Sequence, residues 1–333
     1  MTPTSPCTVP RGLCQGICAK GSGRGCFQLF TLEMRHHALR LRSLEDDLRA
    51  ALAADGLAVH YQPIVDVRQG LLAGFEALVR WSHPVHGGIA PDEFLPVAAA
   101  AGLIAELDAF VLRTACAQFM DFTADPVADS AADFTAGFAA ARPLTLSVNL
   151  SAQSFAEPGL PGRVAAALAE AGMAAQNLKL EITEQTFMER SDEVAATLAA
   201  LRALGVELHV DDFGTGYSSL SYLQNLPVNT LKIDRSFVER LTDHPESAEL
   251  VRTVVAMAKS LGLDLVAEGI ETEGQLERLN SLGCEYGQGY LFSKPLPAPQ
   301  VAAFIARRAA SVAVPVTVPV TVPVTAPPVP AEV

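Results

Sequence analysis

Two adjacent carboxylates, Asp211 and Asp212, stand where a strand-like run meets a glycine-rich stretch in VELHVDDFGTGYSSL at 206–220. Alternation with a period of two places Glu207, His209 and Asp211 on one face of that run. Charged side chains do not stay buried without compensation, and hard divalent cations prefer oxygen ligands. The pair therefore indicates a metal site. A turn with two solvated acids is the alternative, and this stretch alone does not decide between them.

Polar residues recur at the ends of the other strand-like runs. They are Gln62, Glu76, Arg80, Asn149, Glu181, Glu184, Lys232, Asp234, Glu268, Glu271 and Gln288. Any one inward acid could be a satisfied core residue, but so many carboxylates converging on one mouth would repel each other strongly. Compensating cations are therefore expected. Two metal ions bridged by a carboxylate are the usual arrangement for phosphodiester hydrolysis.

The nitrogen-bearing side chains of this set each leave two interpretations open. Lys232 lies in TLKID at 230–234, where alternation points it inward. It is either a structural counter-charge or a group that orients a metal-activated water. The planar donor fork of Arg80 suits a phosphate, with an ion pair to a neighbouring acid as the alternative. Gln62 and Gln288 could hold a base edge or a metal-bound water, or could satisfy the backbone.

Eight strand-like runs would position these residues, with helical segments between most of them. The runs lie at 59–65, 74–81, 144–150, 178–183, 206–211, 230–234, 264–270 and 285–292. This order predicts an α/β protein, a (β/α)8 TIM-like barrel, in which active sites form where the strands end. Only eight residues, 66–73, separate the first two runs. Because that join is too short for a crossover helix, we expect one antiparallel strand.

Composition limits the class of protein. The 333 residues are 50% hydrophobic and carry a formal net charge of −13. These values predict a large core and argue against a binder of DNA or RNA polymers, which would need a basic face. A small anionic ligand stays compatible, since bound metal ions invert the local field. Neither a secretory signal nor an apolar run long enough for a membrane span is visible, so we expect a cytoplasmic protein.

The two ends of the chain differ in composition from the block between them. Residues 1–33 are rich in Gly, Pro and Ser and lack periodicity, which predicts a disordered leader. Their four cysteines lack the paired spacing of a zinc knuckle. We expect a leader helix at 34–56, the barrel at 57–308 and a disordered tail rich in Pro, Val and Thr at 309–333. The Ala-rich segment 121–142 is predicted to be a surface insertion.

Taken in chain order, the motifs resemble those of the EAL-domain family of cyclic di-GMP phosphodiesterases over roughly residues 45–305. They are YQPIVD at 61–66, EALVRW at 76–81, SVNLS at 147–151, LEITE at 180–184, DDFGTGYSSL at 211–220, LKIDRSF at 231–237, AEGIET at 267–272 and QGYLFSKP ending at Pro295. Any one of these motifs is weak, whereas the ordered set is very specific. The resemblance implies a β/α barrel with one antiparallel strand, which agrees with the short first join.

The resemblance also implies a reaction and its metal ions. The reaction is hydrolysis of one phosphodiester of cyclic di-GMP to linear pGpG with Mg²⁺ or Mn²⁺, which lowers this second messenger in bacterial signalling. The implied ligands of one metal ion are Glu76, Asn149, Glu181 and Asp211. The implied contributors to the second are Asp211, Asp212 and Glu268.

The remaining motif residues are implied to serve catalysis and substrate binding. Lys232 would orient or activate the nucleophilic water, and Glu184 would steady the DDFGTGYSS loop. Gln62, Arg80 and Gln288 match positions near the substrate and the metal-bound waters. The family often forms dimers, which makes a homodimer one candidate assembly.

One departure and two rival functions complete the sequence-based picture. The family usually has two glutamates where PDEFLPVAAA places Ala99 and Ala100, which puts local stability in doubt more than the chemistry. A catalytically silent receptor for cyclic di-GMP would be expected to lose ligands or the lysine, and all of these positions are filled here. A protein-interaction module with a vestigial site is the second rival. Turnover of the nucleotide would separate the three.

Overall fold

The computed structural model describes residues 32–54, 56–124, 143–188, 192–214 and 227–312. Most of the expected leader, most of the expected tail at 309–333, most of the expected insertion at 121–142 and the loop residues 215–220 therefore lie outside the described residues. Among the helices of the described ranges, none is both long and apolar enough to cross a membrane.

Strands and helices alternate along most of the described chain. The strands are β1 Leu57–Asp66, β2 Leu72–His83, β3 Gly87–Ile89, β4 Thr145–Asn149, β5 Leu178–Thr183, β6 Glu207–Phe213, β7 Thr230–Ile233, β8 Asp264–Ala267, β9 Tyr286–Gln288 and β10 Leu296–Pro297. The helices are α1 Leu32–Ala53, α2 Pro91–Ala100, α3 Ile104–Thr123, α4 Ala152–Ala156, α5 Leu160–Ala171, α6 Glu184–Met188, α7 Asp192–Ala203, α8 Arg235–Glu239, α9 Pro245–Leu261, α10 Glu273–Leu282 and α11 Ala298–Val312.

The chain divides into two units, and the smaller one comprises residues 1–58 and 79–110. Its described core is a buried apolar cluster to which α1 contributes Leu44 and Leu48 and α2 contributes Phe94. The Phe94 ring packs edge-on to Trp81 at 5.6 Å between centroids. Ala99, one of the two residues that depart from the family pattern, is partly buried against this cluster. An alanine there adds apolar contact, whereas a glutamate would have to be desolvated.

The larger unit, residues 59–78 and 111–333, contains the barrel. The strands follow the order β1-β9-β8-β7-β6-β5-β4-β2, and pairing of β1 with β2 closes the ring. β1 runs antiparallel to β9, with Ile64 opposite Gln288. The ring pairs β2–β4, β4–β5, β5–β6, β6–β7, β7–β8 and β8–β9 are parallel. The expected (β/α)8 barrel with one antiparallel strand is thus confirmed.

The antiparallel strand results from the short join after β1. Asp66 N donates to Leu71 O at 2.8 Å and Gly70 N donates to Asp66 O at 2.8 Å, which closes a tight turn. The Asp66 side chain adds two bonds, from the backbone of Arg68 at 2.8 Å and of Gln69 at 2.9 Å. Asp and Gly suit such turns because the carboxylate bonds the following backbone and glycine tolerates φ of 68°.

Alternation along the barrel strands separates an apolar outer face from a polar inner one. In the β5–β6 pair, Leu180 lies opposite Leu208 and Ile182 opposite Val210, and all four are buried. The intervening positions place Glu181 opposite His209. The outer face packs beneath the helices, so the inner face is the one free to carry polar chemistry.

Two strands end earlier than the sequence predicted. β8 stops at Ala267, so Glu268 lies one residue beyond it, and β9 stops at Gln288. Gly289 explains the second end, because a Cβ there would lie only 2.1 Å from Ile270 O. The close approach of two backbones at this point requires glycine and turns the chain away from the sheet.

Candidate active site

Lys232 lies at the centre of a carboxylate cluster inside the barrel. Its Nζ is 2.6 Å from Glu181 Oε2, 2.6 Å from Glu268 Oε1, 3.2 Å from Asp211 Oδ1 and 3.7 Å from Glu76 Oε2. The lysine is fully buried. Its neighbours on β7, Leu231 and Ile233, are buried as well, and alternation turns them to the opposite face. Glu76 on β2, Glu181 on β5, Asp211 on β6 and Glu268 directly after β8 therefore each bring one carboxylate to a single ammonium.

The ammonium of Lys232 is held in its charged form. Burial alone would lower its pKa, but Asp211, Glu181, Glu268 and Glu76 together raise the pKa of Lys232 well above its ordinary value. A lysine in this state donates hydrogen bonds and stabilises negative charge. It does not accept a proton from water at neutral pH.

A second network joins four of the residues singled out in the sequence. Asn149 Nδ2 donates to Glu76 Oε1 at 2.7 Å, and Gln288 Nε2 donates to Glu76 Oε2 at 2.5 Å and to Gln62 Oε1 at 2.9 Å. Gln62 Nε2 in turn donates to Ser293 O at 3.3 Å. These bonds fix the Glu76 carboxylate between an amide donor and the Lys232 ammonium.

The cluster contains more negative than positive charge. Burial, reinforced by Glu76 and Asp211, raises the pKa of Glu181 well above its usual range even though Lys232 opposes the shift. Burial likewise raises the pKa of Glu268 to about 7, again against the lysine. Carboxylates that resist ionisation next to an ammonium indicate that one lysine does not supply enough positive charge for the group.

A β-bulge presents Asp211 and Asp212 together. The register between β6 and β7 shifts between Val210 and Phe213, and Asp212 adopts φ 54°. Aspartate is one of the few residues that tolerates this left-handed region. Asp212 N donates to Asp211 Oδ1 at 3.0 Å. Partial burial and the Asp211 carboxylate raise the pKa of Asp212, so this carboxylate shares the electrostatic environment of the cluster.

Glu184 contacts the beginning of the DDFGTGYSS loop. It opens α6, is buried, and its Oε2 accepts a hydrogen bond from Gly214 N at 3.0 Å. Gly214 has φ 99°, and a Cβ there would lie 3.0 Å from the Phe237 ring. Residues 215–219 of the loop lie outside the described ranges, so the observed contact concerns Gly214, and the steadying role of Glu184 stays a prediction.

The described contacts of three other motif residues involve the backbone. Arg80 belongs to the smaller unit, and its NH1 donates to Val79 O at 2.8 Å, so its contact with a phosphate stays a prediction. Asp234 caps α8 by accepting from Ser236 N at 3.0 Å. Glu271 N donates to Gln275 Oε1 at 2.8 Å, within the turn that begins α10.

Sequence reasoning assigned no role to His209, which the structure places against the cluster. The imidazole is buried, with Nδ1 3.9 Å from Glu181 Oε1 and Nε2 3.7 Å from Glu207 Oε2. Burial lowers the pKa of His209 to about 4, although Glu207 acts in the opposite direction. The signal was present in the alternation of Glu207, His209 and Asp211, which put the imidazole on the inner face.

The donor set suits a hard divalent cation. Carboxylate and amide oxygens from Glu76, Asn149, Glu181 and Asp211 are the ligands that Mg²⁺ and Mn²⁺ prefer. Glu181 Oε1 is buried without a hydrogen-bond partner, and thus keeps a lone pair to offer. Within the described ranges, no group of three or more His, Cys, Asp or Glu side chains is disposed to hold a metal ion as it stands, since the carboxylates converge on Lys232 instead.

A family model described as "EAL domain" matches residues 45–295. Over 288 residues the chain is 42% identical to the bifunctional diguanylate cyclase/cyclic di-GMP phosphodiesterase MucR of Pseudomonas aeruginosa, covering 86% of this chain and 40% of that protein. It is 40% identical over 287 residues to the cyclic di-GMP phosphodiesterase NbdA of the same organism, covering 86% and 35%. The chain thus spans two fifths or less of the length of these curated relatives.

Solved structures with the same fold include several bound to a nucleotide. One described as "PaMucR Phosphodiesterase, c-di-GMP complex" superposes with a TM-score of 0.70 at 42% identity, covering 78% of this chain and 99% of that chain. The EAL enzyme Bd1971, in a form bound to cAMP and cyclic di-GMP, gives a TM-score of 0.74 at 29% identity, covering 81% and 70%.

Proposed function

This chain belongs to the EAL domain family, and from that premise we propose that it is a metal-dependent phosphodiesterase that hydrolyses cyclic di-GMP to linear pGpG. The observation that carries the proposal is the buried Lys232 ammonium surrounded by the carboxylates of Glu76, Glu181, Asp211 and Glu268. The relatives named as cyclic di-GMP phosphodiesterases support the substrate. Such a reaction lowers the concentration of this second messenger.

The carboxylate cluster is proposed to hold two divalent ions, Mg²⁺ or Mn²⁺. Glu76, Asn149, Glu181 and Asp211 would bind one, and Asp211, Asp212 and Glu268 would bind the other. When bound, such ions supply the positive charge that a phosphodiester and its attacking water need for in-line displacement. The same charge relieves the repulsion that raises the pKa of Glu181 and of Glu268.

Lys232 is proposed to orient the attacking water and to stabilise charge at the reacting phosphate. Its ammonium stays protonated, because four carboxylates raise its pKa. It therefore acts as a fixed donor in a water-poor interior, where such a group stabilises developing charge most strongly. It takes up no proton from the water, so removal of that proton is left to the carboxylates of the cluster.

Three side chains are proposed to contact the nucleotide. Gln288 donates to both Gln62 and Glu76, so a ligand that bonds either amide is held close to the metal-binding carboxylate. Arg80 offers a planar pair of donors for a phosphate oxygen. A small anionic dinucleotide also agrees with the net charge of −13, which disfavours polymeric nucleic acids.

The direct test is to incubate the purified protein with cyclic di-GMP and Mg²⁺ or Mn²⁺ and to separate the products by anion-exchange chromatography. Linear pGpG formed only with added metal supports the proposal. Recovery of intact cyclic di-GMP, together with measurable binding of the nucleotide, would identify a receptor instead. A protein that neither binds nor hydrolyses the nucleotide would favour a protein-interaction module. A parallel sample in excess chelator provides the metal-free control.

Metal binding is expected to stabilise the protein more at about pH 8 than at about pH 5.5, because ligands must be deprotonated before they bind a cation. The pKa of Glu268 is raised to about 7. The carboxylate is therefore mostly protonated below that pH and ionised above it, and affinity for the metal falls as pH falls through 7. Differential scanning fluorimetry with and without Mn²⁺ measures the shift in Tm. Equal shifts at both pH values would contradict this assignment of Glu268.

Replacing Glu184 with alanine is expected to weaken metal retention rather than remove the chemistry. The variant loses the acceptor for Gly214 N, so the backbone next to Asp211 and Asp212 becomes less fixed, at a cost of about 10- to 100-fold in metal affinity or activity. Turnover measured against Mn²⁺ concentration should recover in part at high Mn²⁺. A Lys232→Ala variant assayed in parallel should recover little, and equal rescue of both would contradict the different roles.

A further inference from the structure

His209 is a buried titratable side chain of the barrel that the proposed mechanism does not use. It lies at the middle of β6, is 1% exposed, and faces a carboxylate on each side. Neither ring nitrogen has a hydrogen-bond partner within the described residues. Leaving a buried imidazole unbonded costs free energy of desolvation that a leucine of similar size would not cost. A bonding role for the ring would explain its presence.

The two carboxylates beside the His209 ring, those of Glu207 and Glu181, differ in their exposure and in their other partners. Glu207 is 40% exposed on its side chain and has Lys179 Nζ 3.6 Å from its Oε2. His209 first and Lys179 after it lower the pKa of Glu207, so water and a lysine remain beside this carboxylate even without the ring. Glu181 is fully buried, and Lys232 occupies only its Oε2. Its Oε1 has no partner, and the nearest ring atom is His209 Nδ1 at 3.9 Å. Glu181 is therefore the carboxylate with fewer hydrogen-bond partners.

A neutral imidazole carries one N–H and can serve only one of these carboxylates as a donor. Nδ1–H pointing at Glu181 gives a partner to the buried oxygen, while Lys179 continues to pair with Glu207. The opposite tautomer would give Glu207 a second donor and leave Glu181 Oε1 with none. Satisfaction of buried groups therefore favours the Nδ1–H form. Closing the 3.9 Å separation to the usual length of about 2.9 Å needs only a small movement of two side chains.

Resting on the proposed function of Glu181 as a metal ligand, we infer that His209 is a positioning residue that holds Glu181 Oε1 through Nδ1–H and so fixes the orientation of this carboxylate toward the cation. β5 and β6 place the two residues directly opposite each other. The ring therefore supports Glu181 from the side of the barrel interior, and Lys232 contacts it at the other oxygen.

Loss of a partner that orients a metal ligand typically lowers metal affinity or activity about 10- to 100-fold. Three variants of His209 separate orientation from packing. His209→Leu fills the space without a donor. His209→Asn keeps an amide N–H close to where Nδ1 lies, and His209→Gln places its N–H closer to where Nε2 lies. Glu207→Gln is the matched control, because it alters the other carboxylate beside the ring and leaves Glu181 untouched.

The experiment measures Mn²⁺ affinity by isothermal titration calorimetry and Tm by fluorimetry, alongside turnover of cyclic di-GMP against Mn²⁺ concentration. We expect His209→Leu and His209→Gln to bind Mn²⁺ about 10- to 100-fold more weakly, with turnover largely recovered at saturating Mn²⁺. We expect His209→Asn and Glu207→Gln to stay within about threefold of the parent affinity, against the 10- to 100-fold loss typical of a missing orienting group. If the His209→Leu variant does not fold, the Mn²⁺ affinities of His209→Asn and His209→Gln decide whether His209 orients Glu181.

Parent-like Mn²⁺ affinity of His209→Leu would overturn the inference, and so would equal weakening in His209→Asn and His209→Gln. A parent protein that binds Mn²⁺ but does not hydrolyse cyclic di-GMP would remove the proposed function alone, because the affinity comparison still decides the role of His209. A parent protein that binds no Mn²⁺ would overturn both.

Discussion

Replacing Lys232 with alanine is expected to lower turnover of cyclic di-GMP at least about 100-fold, the loss typical of removing one preorganised donor from an active site. The lysine contacts Glu181, Glu268 and Asp211 within 3.2 Å, so its removal also leaves carboxylates without their ammonium. In metal-free protein this should cost about 3–5 kcal/mol, as for other broken buried ion pairs. Bound Mn²⁺ should restore most of that stability without restoring the rate.

The measurement is kcat at saturating Mn²⁺ together with the free energy of unfolding in urea, with and without Mn²⁺. Lys232→Met is the matched control, since it keeps an unbranched stem about as long as that of lysine and removes the charged ammonium donor. Both variants should retain binding of cyclic di-GMP when metal is present. A Lys232→Met variant with near-parent kcat would show that the lysine is a structural counter-charge and does not orient the water.

Replacing Glu76 with glutamine is expected to abolish detectable turnover while the barrel still folds. The substitution keeps the size of the side chain but removes a negative charge that Asn149, Gln288 and Lys232 all contact. Because a neutral amide binds a hard cation far more weakly than a carboxylate does, Mn²⁺ affinity should fall by at least about 100-fold, the upper end of losses seen for weaker perturbations of metal sites. Chelation of the parent protein should have the same effect and be reversible.

Calorimetric titration with Mn²⁺ and circular dichroism together check this prediction. Glu239→Gln is a suitable control, because Glu239 is an exposed carboxylate paired with Arg235 on α8 and lies outside the cluster. Its affinity and rate should match those of the parent. Undiminished hydrolysis by Glu76→Gln, or by the parent in excess chelator, would contradict a metal-dependent reaction at this cluster.

Most of the barrel could be predicted from the sequence because each strand repeats a simple pattern. Alternating apolar and polar residues, bounded by turn residues, located the barrel strands to within a few residues. The eight residues, 66–73, between the first two predicted runs were enough to identify the antiparallel strand. Polar residues on the inner faces of these strands are expensive to bury, so their recurrence indicated where the chemistry lies.

The details that sequence reasoning missed depend on contacts between distant parts of the chain. The bond from Gln288 to Glu76 joins residues 212 positions apart. The bulge that turns Asp212 depends on the register with β7, which periodicity within β6 does not reveal.

A single-turnover reaction in heavy-oxygen water, with protein in excess over cyclic di-GMP and Mn²⁺ present, tests the proposed chemistry most directly. Mass spectrometry of the product should find linear pGpG with one heavy oxygen on its terminal phosphate, because water attacks one phosphodiester and the second bond stays intact. Glu76→Gln treated in the same way should return unlabelled cyclic di-GMP. Unlabelled linear product, or intact nucleotide from the parent protein, would contradict hydrolysis by a water activated at this carboxylate cluster.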